Sequence, residues 1–291
     1  MACESFKLID SSGTETYFAD LNLFIGNTSG GMSSENFMPN IKSVTVDDIV
    51  KKDGSIFQSQ NLGERDIEIP VYFINLTEEE INIIKQKLYV RTPKKLIYDR
   101  HPYRYIWVNS TKSIDVSYIW RGGTRYDGIF TISYVAYDPL WYSLFDAGDL
   151  PAYLEDLPSS GHEQLFYDLG MPYEEDILPT SFVNVTSDGS LVLQNYGSYD
   201  SKLTIEIIGD CQDLTLTNIS NENKSFTINT MSSETIKVDG TRGIISNGSI
   251  LKTNSFSGDF IKLVAGENII VLSSTSINLS SLNFIYKYTY L

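Results

Sequence analysis

Cysteine and histidine are nearly absent: the chain of 291 residues has two of each. Cys3 and Cys211 fall one in each half and neither sits in a CxxC pair, so a disulfide framework is excluded and both read as free thiols. Two isolated cysteines do not make a zinc site. His101 precedes Pro102 in the turn Asp99-Arg100-His101-Pro102, and His162 lies in an acidic stretch, so neither has a nucleophile at recognisable spacing. The GxSxG, HExxH, Walker and GxGxxG patterns are missing too. Asp47-Asp48 and Glu174-Glu175-Asp176 lack the alternating carboxylates and closing glutamate of an EF-hand and read as solvated charge. No residue is therefore assigned as catalytic, cofactor-binding or metal-ligating, no cofactor is expected, and the chain is not expected to be an enzyme. A glycosidase would need two carboxylates from different strands facing one cleft, which spacing does not reveal.

Basic charge is also scarce. Lys and Arg number 22 against 37 Asp and Glu, a net charge of -15. Phosphate binding draws its affinity from clustered Lys and Arg, so tight nucleic-acid binding is not expected. Residues 1–145 hold 15 basic and 18 acidic side chains and the remainder 7 and 19, which leaves the halves at -3 and -12. The acidic half reads first as a solubility device and second as a face that steers or rejects partners. No apolar run reaches the length that crosses a bilayer, and Met1-Ala2-Cys3-Glu4-Ser5 has neither the basic patch nor the apolar run of an export signal. The expectation is a soluble protein made in a cytoplasm, without membrane insertion. Triplets such as Asn75-Leu76-Thr77 and Asn184-Val185-Thr186 are chance products of a chain rich in Asn, Ser and Thr.

What is abundant is alternation. Apolar residues recur at every second position in short runs bounded by Gly, Asn, Asp and Ser, the signature of half-buried strands. In the first half these runs are Tyr17 to Ile25, Ser43 to Ile49, Arg65 to Ile74, Lys95 to Tyr98, Arg104 to Val108, Ile114 to Trp120 and Gly128 to Tyr137. Ile67, Ile69, Val71 and Phe73 share one face, while Pro70 removes a ladder donor and predicts an edge or a bulge there. One segment breaks the period: Thr77-Glu78-Glu79-Glu80 is a capping box, followed by Ile81, Ile84 and Leu88 at helical spacing. It predicts a helix over 78–90, stopped by Pro93 and packed on a sheet.

Between 146 and 179 four prolines and nine acidic residues occur without Lys or Arg, which reads as a linker carrying enough large apolar groups to lie against something. Strand rhythm then returns: Leu191 to Leu193, Lys202 to Ile208, Leu214 to Asn218, Ser225 to Asn229, Thr235 to Val238, Gly243 to Ser246, Phe260 to Val264, Asn268 to Ser273 and Leu282 to Tyr290. Asp188-Gly189, Asp239-Gly240, Asn247-Gly248 and Ala265-Gly266 supply the turns. The expected architecture is all-β: two antiparallel β-sandwich domains in tandem, 1–145 with one packed helix, a linker 146–179, and a jelly-roll-like 180–291. A sandwich face lined by Tyr and Phe can bind sugar, so a carbohydrate-binding, host-recognition role is the rival reading. The tryptophans Trp107, Trp120 and Trp141 all lie in the first half, so such a site would have to stack sugars on tyrosines such as Tyr196 or Tyr199.

The order of features carries more than any one motif. The strand from Gly63-Glu64-Arg65-Asp66-Ile67, the capped helix, Lys95-Leu96-Ile97-Tyr98-Asp99-Arg100-His101-Pro102-Tyr103-Arg104-Tyr105 and then Tyr137-Asp138-Pro139-Leu140-Trp141-Tyr142 resemble the distal tail protein family of phages that infect Gram-positive bacteria. The second half is similar to that family's galectin-like sandwich through Leu193-Gln194-Asn195-Tyr196-Gly197, Ile205-Glu206-Ile207-Ile208-Gly209-Asp210, Ile236-Lys237-Val238-Asp239-Gly240 and Leu263-Val264-Ala265-Gly266-Glu267-Asn268. It departs at Ser198-Tyr199-Asp200-Ser201, where that family commonly continues to a proline. The resemblance implies a homohexameric ring at the virion tail tip, formed by first domains with second domains projecting. It further implies contacts with the tail tube protein, with a hub or tail-associated fibre protein and with a receptor-binding protein.

Overall fold

The computed structural model describes residues 4–26, 34, 35, 39, 41–48, 55–148 and 179–291. The chain divides into two compact units, Met1–Trp141 with Leu291, and Tyr142–Tyr290. Among the described residues most are in antiparallel strands, with one α-helix, as the alternation predicts.

The first unit contains β1 (Phe6–Ile9), β2 (Glu15–Tyr17), β3 (Leu23–Ile25), β4 (Ser34–Glu35), β5 (Ile41–Asp48), β6 (Ser55–Leu62), β7 (Arg65–Thr77), α1 (Glu78–Leu88), β8 (Lys94–Tyr98), β9 (Arg104–Ser110), β10 (Ser117–Gly122) and β11 (Arg125–Ala136), and β12 (Trp141–Ser143) begins at its end. Its main sheet runs β2-β1-β8-β9-β11-β7-β3. Ile67, Ile69, Val71 and Phe73 are buried on β7, and Phe130, Ile132 and Tyr134 are buried on the neighbouring β11. Each such side chain contributes about 1.5–3 kcal/mol when removed from water, which fixes the register.

Pro70 sits opposite Thr131 within the long β7–β11 ladder, so β7 is interior and not the edge that proline predicts. On the other side of β7, β3 pairs with 71–73 and β4 with 67–68, and the missing donor of Pro70 falls in the gap between them. Its carbonyl still accepts from Gly26 N at 2.8 Å. The strand is bulged, but further along, where Leu76 and Phe73 oppose Tyr126 and Gly128 and Asn75 takes φ 60. The run expected as one strand from Tyr17 to Ile25 is β2, a single 3-10 turn over Ala19–Leu21, and β3, because Asn22 adopts φ 55 and reverses the chain.

The helix begins at the predicted cap. Thr77 Oγ1 accepts from Glu80 N, and Glu80 Oε2 accepts from Thr77 N at 2.7 Å. Ile81, Ile84 and Leu88 are its buried face. Tyr89, the C-cap, is already extended, so the helix ends two residues before the expected boundary. Tyr134 Oη donates to Leu88 O at 3.0 Å, tying the end of α1 to β11.

The second unit contains β13 (Ser181–Val185), β14 (Gly189–Asn195), β15 (Ser201–Asn218), β16 (Lys224–Asp239), β17 (Ile244–Asn247), β18 (Ile250–Leu251), β19 (Phe256–Gly258), β20 (Lys262–Leu263), β21 (Gly266–Ser273), β22 (Ser276–Tyr286) and β23 (Thr289–Tyr290). The main order is β13-β22-β15-β16-β17-β18, with β21 joining β14 to the far half of β15. Four expected strands fuse into the two long strands β15 and β16. The junction is a bulge: Gly209 takes φ 134 and the Asp210 carboxylate accepts from Ser233 N at 2.7 Å. Buried asparagines close the other end. Asn218 Nδ2 donates to Asn268 Oδ1 at 2.9 Å, and Asn268 Nδ2 donates to Val264 O at 2.8 Å. Residues 142–147 also belong to this unit: Ser143 N donates to Tyr288 O at 2.9 Å and Ala147 N to Tyr286 O at 2.8 Å. Most of the acidic stretch expected as the linker lies outside the described residues.

Two substitutions check this account. Thr77→Ala removes the N-cap and is expected to cost about 1 kcal/mol in chemical unfolding. Gly209→Ala places a Cβ 2.6 Å from Asn278 O at φ +134. It is expected to cost on the order of 1–3 kcal/mol in the same assay.

Candidate functional site

Among the described residues no three His, Cys, Asp or Glu side chains gather as a metal site would require. His101 is exposed in the turn after β8, its backbone N donating to Tyr98 O. Asp47 and Asp48 end β5, while Cys3, His162 and Glu174-Glu175-Asp176 lie outside the described residues. Cys211 is buried on β15, and burial pushes its thiol up to about 11. The tyrosines raised most are Tyr134, Tyr288 and Tyr286, in each case by burial first; Tyr134 Oη donates to Leu88 O, and Tyr286 Oη donates to Gln194 O at 2.8 Å. These shifts arise from packing, not from ionisable groups converging on a cleft.

The features that do stand out are surfaces. β10 pairs with β11 alone, so one of its edges has no strand partner among the described residues. All six of its residues are exposed, including three consecutive large apolar ones, Tyr118, Ile119 and Trp120, the last two at 57% and 68%. A strand that buried one face would expose every second residue; three exposed in a row leave both faces and an edge in water.

The hairpin is held rigidly. Gly122 and Gly123 take φ 112 and 63 at its tip, and Trp120 Nε1 donates to Gly123 O at 3.1 Å. Asp127 is buried behind it, accepting from Asn75 N at 2.9 Å and from Arg121 Nε. The Asn75 bond first, and then Arg121, hold the Asp127 carboxyl below its ordinary 3.8. Tyr118 lies 6.4 Å from the Phe73 ring, and Lys85 of α1 donates to its hydroxyl at 2.7 Å. Gly128 is required here, because a Cβ would lie 2.3 Å from the Phe73 ring.

A second edge-rich element accompanies the first. β5 and β6 form a two-stranded sheet of their own, with no third strand among the described residues. Such a ribbon is marginal in water unless something pairs with it or covers it.

In the second unit the exposed apolar residues are aliphatic: Val183 on the edge strand β13, and Ile250 and Leu251 on the edge strand β18. Both tyrosines that a sugar site would use are half-buried. Tyr196 meets Tyr288 edge-on at 5.4 Å, and Tyr199 bridges to Thr289. The sequence placed Trp120 in a strand but missed its surface role; three adjacent large apolar residues before Arg121-Gly122-Gly123 were the available signal. Trp107 and Trp141 have other tasks, Trp107 edge-on to Tyr105 at 5.7 Å and Trp141 buried 5.9 Å from Tyr98.

Comparison with known proteins follows this geometry. Residues 21–128 match the phage tail protein RIFT-related domain family. Of solved structures, the Dit protein of phage SPP1, described as a paradigm of the hub adsorption apparatus in phages infecting Gram-positive bacteria, superposes with TM-score 0.60 at 13% identity, covering 98% of this chain and 99% of that one. Chains of the phage p2 baseplate in its activated conformation, with strontium and with calcium, align at 9% identity with TM-scores 0.43 and 0.44. The strontium form covers 98% of this chain and 98% of its own, the calcium form 99% and 98%. No curated protein sequence matches the chain. Residues 21–128 are thus similar to a phage tail protein RIFT-related domain, and the whole chain shares the fold of the SPP1 Dit protein.

Asp127→Asn removes a group whose pKa is lower folded than unfolded, so the wild-type advantage is complete above pH 3.8 and disappears as the pH falls through the folded value. Unfolding titrations of both proteins from pH 7 downward should converge in acid. In a Cys3→Ser background, Cys211 is expected to resist alkylation in the native state and to react on unfolding, as titration with a thiol reagent reports.

Proposed function

We propose that this chain, which carries a phage tail protein domain over residues 21–128 and the fold of a distal tail protein, is a non-enzymatic structural component of a virion tail tip. Six copies form a ring at the lower end of the tail tube. First domains make the ring and second domains project from it. The ring joins the tube protein to a hub or tail-fibre protein and offers docking surface for receptor-binding proteins. The chain is made in the host cytoplasm and acts in the assembled particle.

The observation that carries this reading is the pairing of a rigid sheet scaffold with unsatisfied strand edges. Among the described residues β10 shows an apolar edge, and β5–β6 stands as a ribbon without a third strand. Exposed edges of this kind are blunted in monomers by charge, proline or a bulge, or are covered by a neighbour. A contact between unlike patches, repeated around an axis, closes a ring. The surplus of acidic over basic side chains fits a conduit that must not grip nucleic acid.

Light scattering of the purified chain is expected to give six chain masses, and negative-stain images should show annular particles. A single chain mass at every concentration, with no rings in the images, would contradict the assignment.

A further inference from the structure

Asn247-Gly248 is the one Asn-Gly pair of the sequence. It stands where β17 turns into β18: Asn247 pairs with Ile250, and Gly248-Ser249 close the hairpin. Gly248 is exposed and takes φ 55, and a Cβ built on it would meet nothing within 4 Å. In a two-residue turn the N–H of the first turn residue lies outside the ladder, which leaves the Gly248 nitrogen open beside the Asn247 carboxamide. Asp239-Gly240, at the other end of β17, shows the contrast. Gly240 N donates to Leu203 O at 3.0 Å, and the Asp239 carboxylate accepts from Thr241 N and Arg242 N at 3.0 Å each. There, both groups that would have to react are occupied.

Asn247 is held by one strong bond. Its Nδ2 donates to Glu234 Oε2 of β16 at 2.7 Å, and Lys252 Nζ stands 2.8 Å from the same oxygen. Lys252 first, and then Asn247, hold the Glu234 carboxyl below its ordinary 4.5, so it is ionised at neutral pH. The nitrogen that would leave in a deamidation is therefore the one bound to a carboxylate. The same carboxylate opposes loss of the proton from Gly248 N–H, because it disfavours a second negative charge nearby.

We infer that Asn247 is a site of spontaneous deamidation, that Glu234 retards the reaction, and that its product releases the β17–β18 hairpin. Gly248 N bonds to Asn247 Cγ, its proton passes to Nδ2, and the Cγ–Nδ2 bond breaks to release ammonia. Water then opens the succinimide to aspartate or isoaspartate. Either product replaces a donor to Glu234 with a second carboxylate, and Lys252 then faces two acids. Isoaspartate also adds a backbone carbon at the closing pair of the hairpin and breaks its register. β18 is only Ile250–Leu251, both exposed, so it has no buried side chain to hold it once the turn is altered. The inference does not depend on the ring reading, because every group in it belongs to one chain.

The test uses the full chain, aged in mildly alkaline buffer and mapped by peptide mass spectrometry. Amide loss is expected at Asn247, with isoaspartate in the same peptide detected by enzymatic methylation. Glu234→Ala is expected to speed the loss on the order of tenfold, the rate equivalent of one charge-assisted hydrogen bond. Lys252→Met removes the other partner of Glu234 and leaves the Asn247 bond, so its rate is expected to stay at the wild-type value. Hydrogen exchange reads the release: Asn247→Asp is expected to speed exchange of Lys252 N, which donates to Ile245 O at 2.9 Å. Asn247→Asp combined with Glu234→Gln swaps acid and amide, sets a donor against an acceptor again, and is expected to return that exchange to the wild-type value. An Asn247 amide that survives in Glu234→Ala after other asparagines have reacted overturns the site. No acceleration by Glu234→Ala, or equal acceleration by Lys252→Met, overturns the role of Glu234. Exchange at Lys252 unchanged by Asn247→Asp overturns the release. Near-ultraviolet circular dichroism checks each fold, and Glu234→Gln, which keeps the size of the side chain, repeats the ageing should Glu234→Ala unfold.

Discussion

A strand at the margin of a sheet presents a row of backbone donors and acceptors that must go somewhere, and this structure depends on where they go. Inside the first unit the interior strands are flanked on both sides. β7 is flanked by β11 on one side and by β3 and β4 in succession on the other, with Pro70 placed where neither needs its missing hydrogen. Among the described residues β10 and the ribbon β5–β6 keep margins without a strand partner, as do β2 and β3 at the ends of the main sheet. A ring of identical chains is a way of leaving no margin open without closing each subunit into a barrel.

The scaffold behind that margin is conventional in its energetics. The alternating face of β7, the helix stripe Ile81, Ile84 and Leu88, and the paired face of β11 bury apolar groups against one another. Polar groups inside the sheets are bonded where they matter, as at Asn218 and Asn268 in the second unit and at Asp127 behind the hairpin. The shifted ionisable groups are structural, and none meets another in a cleft. Of the tyrosines on which the rival sugar-binding reading relied, Tyr196 meets the Tyr288 ring and Tyr199 pairs through its backbone with Thr289.

Much of this could be read in the sequence because the determinants are local. Period-two alternation marked Ile67 to Phe73, and Thr77 with Glu80 marked the helix start to the residue. The misreadings were long-range. Four short strands were expected where β15 and β16 run on, because the gaps between the runs are a bulge within one hairpin, where Asp210 accepts from Ser233 N across the two strands. Pro70 suggested an edge because sequence does not show that two short strands share the flank of β7. The exposed run Tyr118-Ile119-Trp120 was legible as a strand, yet its free margin is a property of topology. β1, β6 and β13 were missed for related reasons: β6 carries Gln58, Ser59, Gln60 and Asn61, and β13 is a mostly exposed edge with no alternation to read.

The central claim is that the strand margins open in one chain are closed by its neighbours. Hydrogen exchange, followed residue by residue in dilute and in assembled protein, measures this directly. The account predicts that amides of Ser117–Gly122 and of the β5–β6 ribbon slow together on assembly, while those of β15 and β16 do not change. Assembly that leaves the β10 amides exchanging at their dilute-solution rate would contradict it.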